Sequence, residues 1–331
     1  ALWVLSEEAK STVRELIEDN DIDCGYKSGI AHPDHKPGYA EHSRRYVDKL
    51  HSEYGYEQMS YLDRDEMARV TGSPSYFGGT LDRGAAHLHP LNYAQGLAHA
   101  ALKLGVRIFE NCPVIGYTTE GGVRISTERH TLHAERLVLA CNGYLGKLEP
   151  RLSGRIMPIN NFIAATEPLN AETRKQINPE DVAIADSRFV VNYYRLSEDG
   201  RLLFGGGENY RAGFPGDIAA FVRKPMSQVY PQLEQVAIDY AWGGTLAVTL
   251  NRLPHFGDLD SDRIIYAQGY SGQGVALATL AGKLIAEKIG GNSERFARFA
   301  ELPTPRFPGG TLLRRPGMIL GMLYYAMRDR Y

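Results

Sequence analysis

Cysteine is scarce: Cys24, Cys112 and Cys141 are the only three in 331 residues. An odd, widely spaced set builds neither a disulfide framework nor a zinc site, so reduced thiols in a cytoplasmic protein are expected. Excess charge of either sign is also missing, since 37 Lys and Arg against 39 Asp and Glu leave a net charge of -2. No whole-chain basic field exists to gather nucleic acid or an anionic membrane, and a small-molecule partner is expected by elimination. A transmembrane segment is not expected either. The opening "ALWVLSEEAKSTVRELIEDNDIDCGY" is amphipathic and charged within its first turns, unlike a signal peptide or a membrane span. It carries no initiator methionine and reads like the middle of a helix, the pattern of a processed, trimmed or incompletely sampled chain. Internal repeats and low-complexity tracts are absent, and oligomeric state is not legible.

What is present suits a globular enzyme. With 43% hydrophobic and 23% charged residues, the chain is long enough for two ordinary domains. Leu5, Ala9, Val13, Leu16 and Ile17 fall at helical spacing, which predicts a helix from Leu5 to about Asp19. "HKPGYAEHSRRYVDKLHSEYG" predicts a second helix. "RDEMARVTG" predicts a short third one, with acidic residues in its first turn and Gly72 after its end. "HPLNYAQGLAHAALKLG" begins with Pro90 in the first turn and stops at Gly105, where "VRIFEN" reads as a short buried strand. Two alternating runs follow, "VIGYTTEGGVRISTE" and "HTLHAERLVLACNG". The apolar end of the second, Leu137 to Ala140, reads as a strand buried on both faces.

From Ile156 to about Tyr240 the texture shifts toward strands, with "INNFIAATEPL", a hairpin in "FVVNYYRLSEDGRLLFGGG", and a helix around Ala219 to Tyr230. An antiparallel α+β region is therefore set within an α/β frame. The α/β texture returns in "DRIIYAQGYSGQGVALATLAGKLIAEKIGG", where a strand ends in a glycine turn and opens a helix. Such a turn presents bare N–H groups and a positive helix end to something electron-rich. Tight strand–helix packing is the other explanation for its glycines.

Five stretches, in order, carry a family resemblance: "LDRGAAHLHPLNYAQGLAHAALKLGVRIFENCPV", "LVLACNGYLG", "NYYRLSEDGRLLFGGG", "WGGTLAVTLNRLPHFG" and "YAQGYSGQGVALATLAGKLIAE". Together they resemble the FAD-dependent amine and amino-acid oxidases of the D-amino-acid oxidase superfamily, and within it the bacterial γ-glutamylputrescine oxidases of putrescine catabolism. The tail "FPGGTLLRRPGMILGMLYYAMRDR" is similar as well. The resemblance implies an α/β fold: a discontinuous Rossmann-like FAD-binding domain over residues 1–23, 77–150 and 241–331, and an α+β substrate domain with an antiparallel sheet over 24–76 and 151–240. One departure stands out. The G-x-G-x-x-G fingerprint that holds the FAD pyrophosphate on a helix N-terminus occurs nowhere in these residues, and Gly205-Gly206-Gly207 ends a hairpin strand instead. The chain therefore reads as a family member lacking its first βαβ unit, and weak FAD binding is expected of it.

By resemblance, Gly269, Tyr270, Ser271, Gly272, Gln273, Gly274 and Val275 lie along the flavin, where a helix end and fixed N–H groups would stabilise the negative charge of reduction. Ala140, Gly143, Val114 and Gly244 are implied to contact the cofactor elsewhere, with Cys141 filling core. His89, Tyr193, Tyr194, Trp242 and His255 are implied to line the substrate pocket. Tyr193 and Tyr194 are adjacent on a strand, so at most one of them can do so. His87 and His89 form an H-x-H pair without further ligands at metal spacing, so no metal is expected. Relatives that oxidise α-amino acids carry a carboxylate-clamping arginine where this chain has Leu246, with Arg252 six residues on. That substitution points to an amine whose reacting carbon bears no carboxylate. Cysteine is missing from the same stretch, which implies non-covalent FAD.

The implied activity is oxidation of a primary amine, γ-glutamylputrescine above all, to aldehyde, ammonia and hydrogen peroxide, with no obligatory catalytic base supplied by the protein. The rivals are a related FAD oxidoreductase for secondary amines or N-methyl amino acids, and a non-catalytic fragment unable to hold FAD. A substrate panel with peroxide detection separates the first, and flavin absorbance of the purified protein the second.

Overall fold

The computed structural model describes residues 2–207, 213–314, 316–317 and 319–321. Of the tail motif, residues 315, 318 and 322–330 lie outside the described residues. The chain opens with helix α1 (Leu2–Asp19), then β1 (Lys27–Pro33), α2 (Ala40–Tyr54), β2 (Met59–Leu62), α3 (Arg64–Thr71) and β3 (Gly79–His87). Helix α4 (Pro90–Lys103) precedes β4 (Val114–Thr118), β5 (Val123–Thr127), β6 (Thr131–Ala134) and β7 (Leu137–Leu139). Next come α5 (Pro150–Ser153), β8 (Met157–Thr166), α6 (Ala171–Ile177), β9 (Ala183–Ala185), β10 (Tyr193–Leu196) and β11 (Leu202–Gly205). Last are α7 (Ile218–Val229), β12 (Ile238–Val248), β13 (His255–Leu259), β14 (Ile264–Gln268), α8 (Gly274–Ile289) and α9 (Glu294–Ala300). Among the described residues, no helix is long and apolar enough to cross a membrane.

The chain divides into two compact units. The first holds Ala1–Asp23, Pro90–Ile159 and Thr245–Gly321; the second holds Cys24–His89 and Asn160–Gly244 among the described residues. These limits differ from the boundaries expected from sequence at 76/77, 150/151 and 240/241. Residues 77–89 belong to the second unit because β3 is hydrogen-bonded along its length to β1 and β2. Leu152 and Ile156, expected beyond the boundary, pack in the first unit with Leu139, Ala247 and Ile264.

In the first unit, strands run in the order β13-β14-β7, and β4-β5-β6 form a separate meander. Strand β14 is buried along its whole length. It pairs antiparallel with β13 and parallel with β7, with Ile264 opposite Leu137 and Ile265 opposite Val138. Helix α8 lays Leu280, Ala281, Leu284 and Ile285 against Leu5 and Ala9 of α1 and against Ile265 and Ala267 of β14. Spacing of three and four residues puts those side chains on one helix face, and their removal from water is the main force holding α8.

Two expectations fail here. "VRIFEN" forms no strand, and Val106, Ile108 and Phe109 stay 52%, 46% and 63% exposed. A strand needs a partner for its backbone groups, and none of the described strands pairs with this segment. Leu137 to Ala140 is not buried on both faces, because β7 is an edge strand that leaves Val138 and Ala140 exposed.

The second unit is built on an eight-stranded sheet ordered β12-β8-β11-β10-β9-β1-β3-β2. One face carries the core, with Ala31, Leu81, Ala164, Ile184, Tyr194 and Phe204 packed on α7 residues Val222, Met226 and Val229. Helix α3 in this unit starts on a capping box, in which Asp63 accepts from the Glu66 N–H and Glu66 from the Asp63 N–H.

Candidate functional site

The glycine turn expected from sequence lies between β14 and α8. Its backbone enters the left-handed region at Gly269 (φ +74°), Ser271 (φ +53°) and Gly272 (φ +99°). The two glycines are needed for different reasons. A Cβ on Gly269 would fall 2.5 Å from Thr249 Cγ2, so close packing by the protein itself excludes a side chain there. Around Gly272 the space within 4 Å is open, so only its φ demands glycine and its surface stays bare.

Fixed contacts hold the turn. The Gly269 N–H donates to Asn142 Oδ1 at 2.9 Å, the Ser271 N–H to the Ala247 carbonyl at 3.0 Å, and the Gln273 N–H to the Tyr270 carbonyl at 3.0 Å. Ser271 Oγ accepts from the Thr249 N–H at 3.3 Å. Beneath them the Tyr270 ring is buried with Leu280 and Ala281, and burial pushes its phenol pKa up. Helix α8 then begins without a side-chain cap from Gln273, and Gly272, Gln273 and Val275 are exposed. The result is an uncapped, positively polarised helix end beside a bare turn, an arrangement that stabilises negative charge.

The turn after β7 is hydrogen-bonded to this turn through Asn142. Asn142 adopts φ +46°, and a Cβ on Gly143 would fall 2.5 Å from the Thr245 carbonyl oxygen. Strand packing is by itself enough to require glycine at position 143. Burial raises the pKa of the half-buried Cys141 thiol. Val114 is partly exposed at the start of β4, in register with Thr127. Gly244 is half-buried in β12. Asn142 and Thr249 were not among the residues singled out from sequence, although the Asn-Gly pair after a strand was a signal of a strained turn.

The expected substrate residues separate. Tyr194 is a core residue, its phenol 3.0 Å from the Tyr76 hydroxyl and its ring stacked on Phe204 at 5.0 Å, so it lines no pocket. His255 is buried in the first unit, with Nε2 3.1 Å from the Tyr266 hydroxyl and Nδ1 3.1 Å from Gln268 Nε2. Both nitrogens are occupied within the fold, and the expectation that His255 faces substrate is corrected. Burial, reinforced by the Arg155 cation, lowers its pKa to about 4.

Tyr193 points to the face opposite the core, on which the exposed His32 of β1, passed over in the sequence reading, stands two strands away across β9. His89 is exposed at the end of β3, where its N–H donates to the Cys24 carbonyl at 2.7 Å. Trp242 is exposed on β12.

Comparison with known proteins shows the family and the fold. A family model described as FAD dependent oxidoreductase matches residues 1–288. The chain is 40% identical over 329 residues to the gamma-glutamylputrescine oxidoreductase of Escherichia coli (strain K12), across 98% of this chain and 76% of that protein. It is 39% identical over 331 residues to a probable oxidoreductase OrdL of Rhizobium meliloti, across 100% of this chain and 77% of that one. Among solved structures, the glycine oxidase from Geobacillus kaustophilus superposes with a TM-score of 0.77 at 19% identity, over 92% of this chain and 83% of that one.

Proposed function

Because the chain belongs to the family of FAD-dependent oxidoreductases, we propose that it oxidises a primary amine of the γ-glutamylputrescine class to an aldehyde, with ammonia and hydrogen peroxide as co-products. The observation that carries this reading is the 40% identity to gamma-glutamylputrescine oxidoreductase across 98% of the chain. Glycine oxidase of Bacillus licheniformis and a sarcosine oxidase subunit beta of Arthrobacter are 26% identical over 78% and 68% of the chain. Leu246 supports the same choice, since an α-amino acid substrate calls for a cation where this chain has an isobutyl group.

The bare Gly269–Val275 turn supports seating the flavin ring at the uncapped end of α8. When bound, FAD supplies the acceptor for the hydride and passes the electrons to oxygen. The chain's part is electrostatic and positional. The α8 N-terminus favours negative charge at the turn, and the buried Tyr270 and Leu280 behind it keep the turn rigid. Without cysteine in the stretch "GGTLAVTLNRLP", the FAD is held non-covalently. A cytoplasmic setting belongs to the same proposal, on the strength of three free thiols.

Peroxide release in the presence of FAD, measured with γ-glutamylputrescine, putrescine, sarcosine and glycine on the chain fused at its N-terminus to a strand–turn–helix unit carrying G-x-G-x-x-G, tests the reading. Preference for γ-glutamylputrescine is expected, and preference for sarcosine or glycine overturns it.

A further inference from the structure

The sheet of the second unit arranges its side chains in rows across the strands. Ala31, Ile184, Tyr194, Phe204 and Ala164 stand side by side on the core face, none more than 3% exposed. The adjacent row points the other way. It includes Thr80, His32, Ala185, Tyr193, Gly205 and Ile163, with His32 paired to Thr80, Tyr193 to Ala185 and to Gly205, and Gly205 to Ile163. Thr80, which is buried, His32 and Tyr193 are polar, and the single methyl of Ala185 lies between His32 and Tyr193. A Cβ on Gly205 would fall 2.2 Å from the Tyr193 ring, so the glycine makes room for the ring to lie flat along the sheet.

The chemistry of the pair is set by its neighbours. His32 Nδ1 lies 3.3 Å from the Ala185 carbonyl, an oxygen that can only accept, so Nδ1 carries the proton and Nε2 the lone pair. His32 is exposed, yet its surroundings desolvate it and lower its pKa, against the raising effects of the Ala185 carbonyl and the Asp82 carboxylate. Burial pushes the Tyr193 phenol up to about 12, which keeps it protonated. Arg195, two residues along the same strand, donates instead to the Leu196 carbonyl at 3.3 Å and is drawn to Asp181 and Glu198.

We propose that His32, Ala185 and Tyr193 form the amine-recognition surface of this protein, with His32 Nε2 accepting a hydrogen bond from the substrate's amino group and the alkyl chain lying over Ala185 and the Tyr193 ring. The assignment deepens the proposed function and rests on it. It also gives that function a selectivity: the row offers an acceptor for an amino group and no cation for a carboxylate on the same carbon. A primary aliphatic amine suits it, and an α-amino acid does not.

The test is calorimetric titration of γ-glutamylputrescine, and of its analogue with hydroxyl in place of the amino group, into the full chain and into His32→Ala and His32→Gln. Loss of a charge-assisted hydrogen bond is expected to weaken amine binding about tenfold or more in His32→Ala. His32→Gln, whose amide oxygen also accepts, is expected to restore affinity to within about threefold of the parent, and the hydroxyl analogue is expected to discriminate less among the three proteins. Equal affinity of His32→Ala and the parent for the amine overturns the assignment, as does an equal loss for amine and alcohol in both variants. No binding of any amine by the parent chain overturns it too. Should the peroxide panel instead favour sarcosine, the proposed function fails by itself. Repeating the series with butylamine then decides the row, since a selective loss in His32→Ala upholds it and unchanged affinity overturns it.

Discussion

Asn142 and Gly269 are joined by a 2.9 Å hydrogen bond from the glycine N–H to the asparagine side chain, which ties the turn after β7 to the turn before α8. Asn142 holds this contact from a left-handed backbone position, φ +46°, which asparagine tolerates better than most residues. The side chain therefore serves both turns.

Asn142→Ala leaves the Gly269 N–H without its acceptor, and a stability loss of about 1–2 kcal/mol is expected in urea melts. Asn142→Gly relaxes the backbone while removing the same acceptor, whereas Asn142→Asp keeps one. Hydrogen exchange over residues 266–276 is expected to accelerate in the Ala and Gly variants and not in Asp. Unchanged exchange in all of them would show that the contact does not hold the turn.

The two glycines of the turn are expected to respond differently to alanine. At Gly269 a Cβ meets both a left-handed backbone and Thr249 at 2.5 Å; at Gly272 it meets strain alone, in open space. Gly272→Ala is expected to cost about 1–2 kcal/mol and to leave the fold intact, with Gly269→Ala costing more. In the chain fused to a strand–turn–helix unit carrying G-x-G-x-x-G, flavin fluorescence quenching is expected to weaken in Gly272→Ala, because the new methyl occupies the bare surface. Equal melting temperatures for the two variants would contradict this account.

FAD titrated into these 331 residues is expected to bind weakly or not at all, since no G-x-G-x-x-G is present to seat a pyrophosphate on a helix N-terminus. Fusing a strand–turn–helix unit that carries the fingerprint to the N-terminus is expected to strengthen binding by at least about tenfold. Tight binding by the unfused chain would mean that another phosphate-binding element exists.

Acid is expected to destabilise the chain through its buried imidazoles. His255 and His87 both have folded pKa values lowered to about 4 by burial, from an ordinary value of 6.5. In the unfolded chain each takes up a proton below about pH 6.5, but in the folded chain only near pH 4. Their stabilising effect is therefore complete above about pH 6.5 and is lost as pH falls from there to about 4, by up to roughly 3 kcal/mol each. His255→Gln is expected to flatten the stability profile across that window. A profile as steep as the parent's would show that His255 does not titrate on unfolding.

The course of β14, its glycine turn and α8 was legible in the residue order, because strand period, glycine turn and helix period are local properties of consecutive residues. Opposite faces for Tyr193 and Tyr194 followed from the same local geometry. Which of the two joins the core did not, since that depends on Tyr194 falling in line with Ile184 and Phe204 on neighbouring strands. Nor could local pattern foretell that "VRIFEN" lacks a partner, that β7 stands at a sheet edge, or that His255 turns inward to Gln268 and Tyr266. The Asn142 contact spans 127 positions and was equally hidden. Periodicity and turn chemistry act between neighbours in sequence and determine what a segment is. Burial, pairing and side-chain hydrogen bonding act between neighbours in space, so only the tertiary structure decided which of those segments present their polar atoms to a ligand.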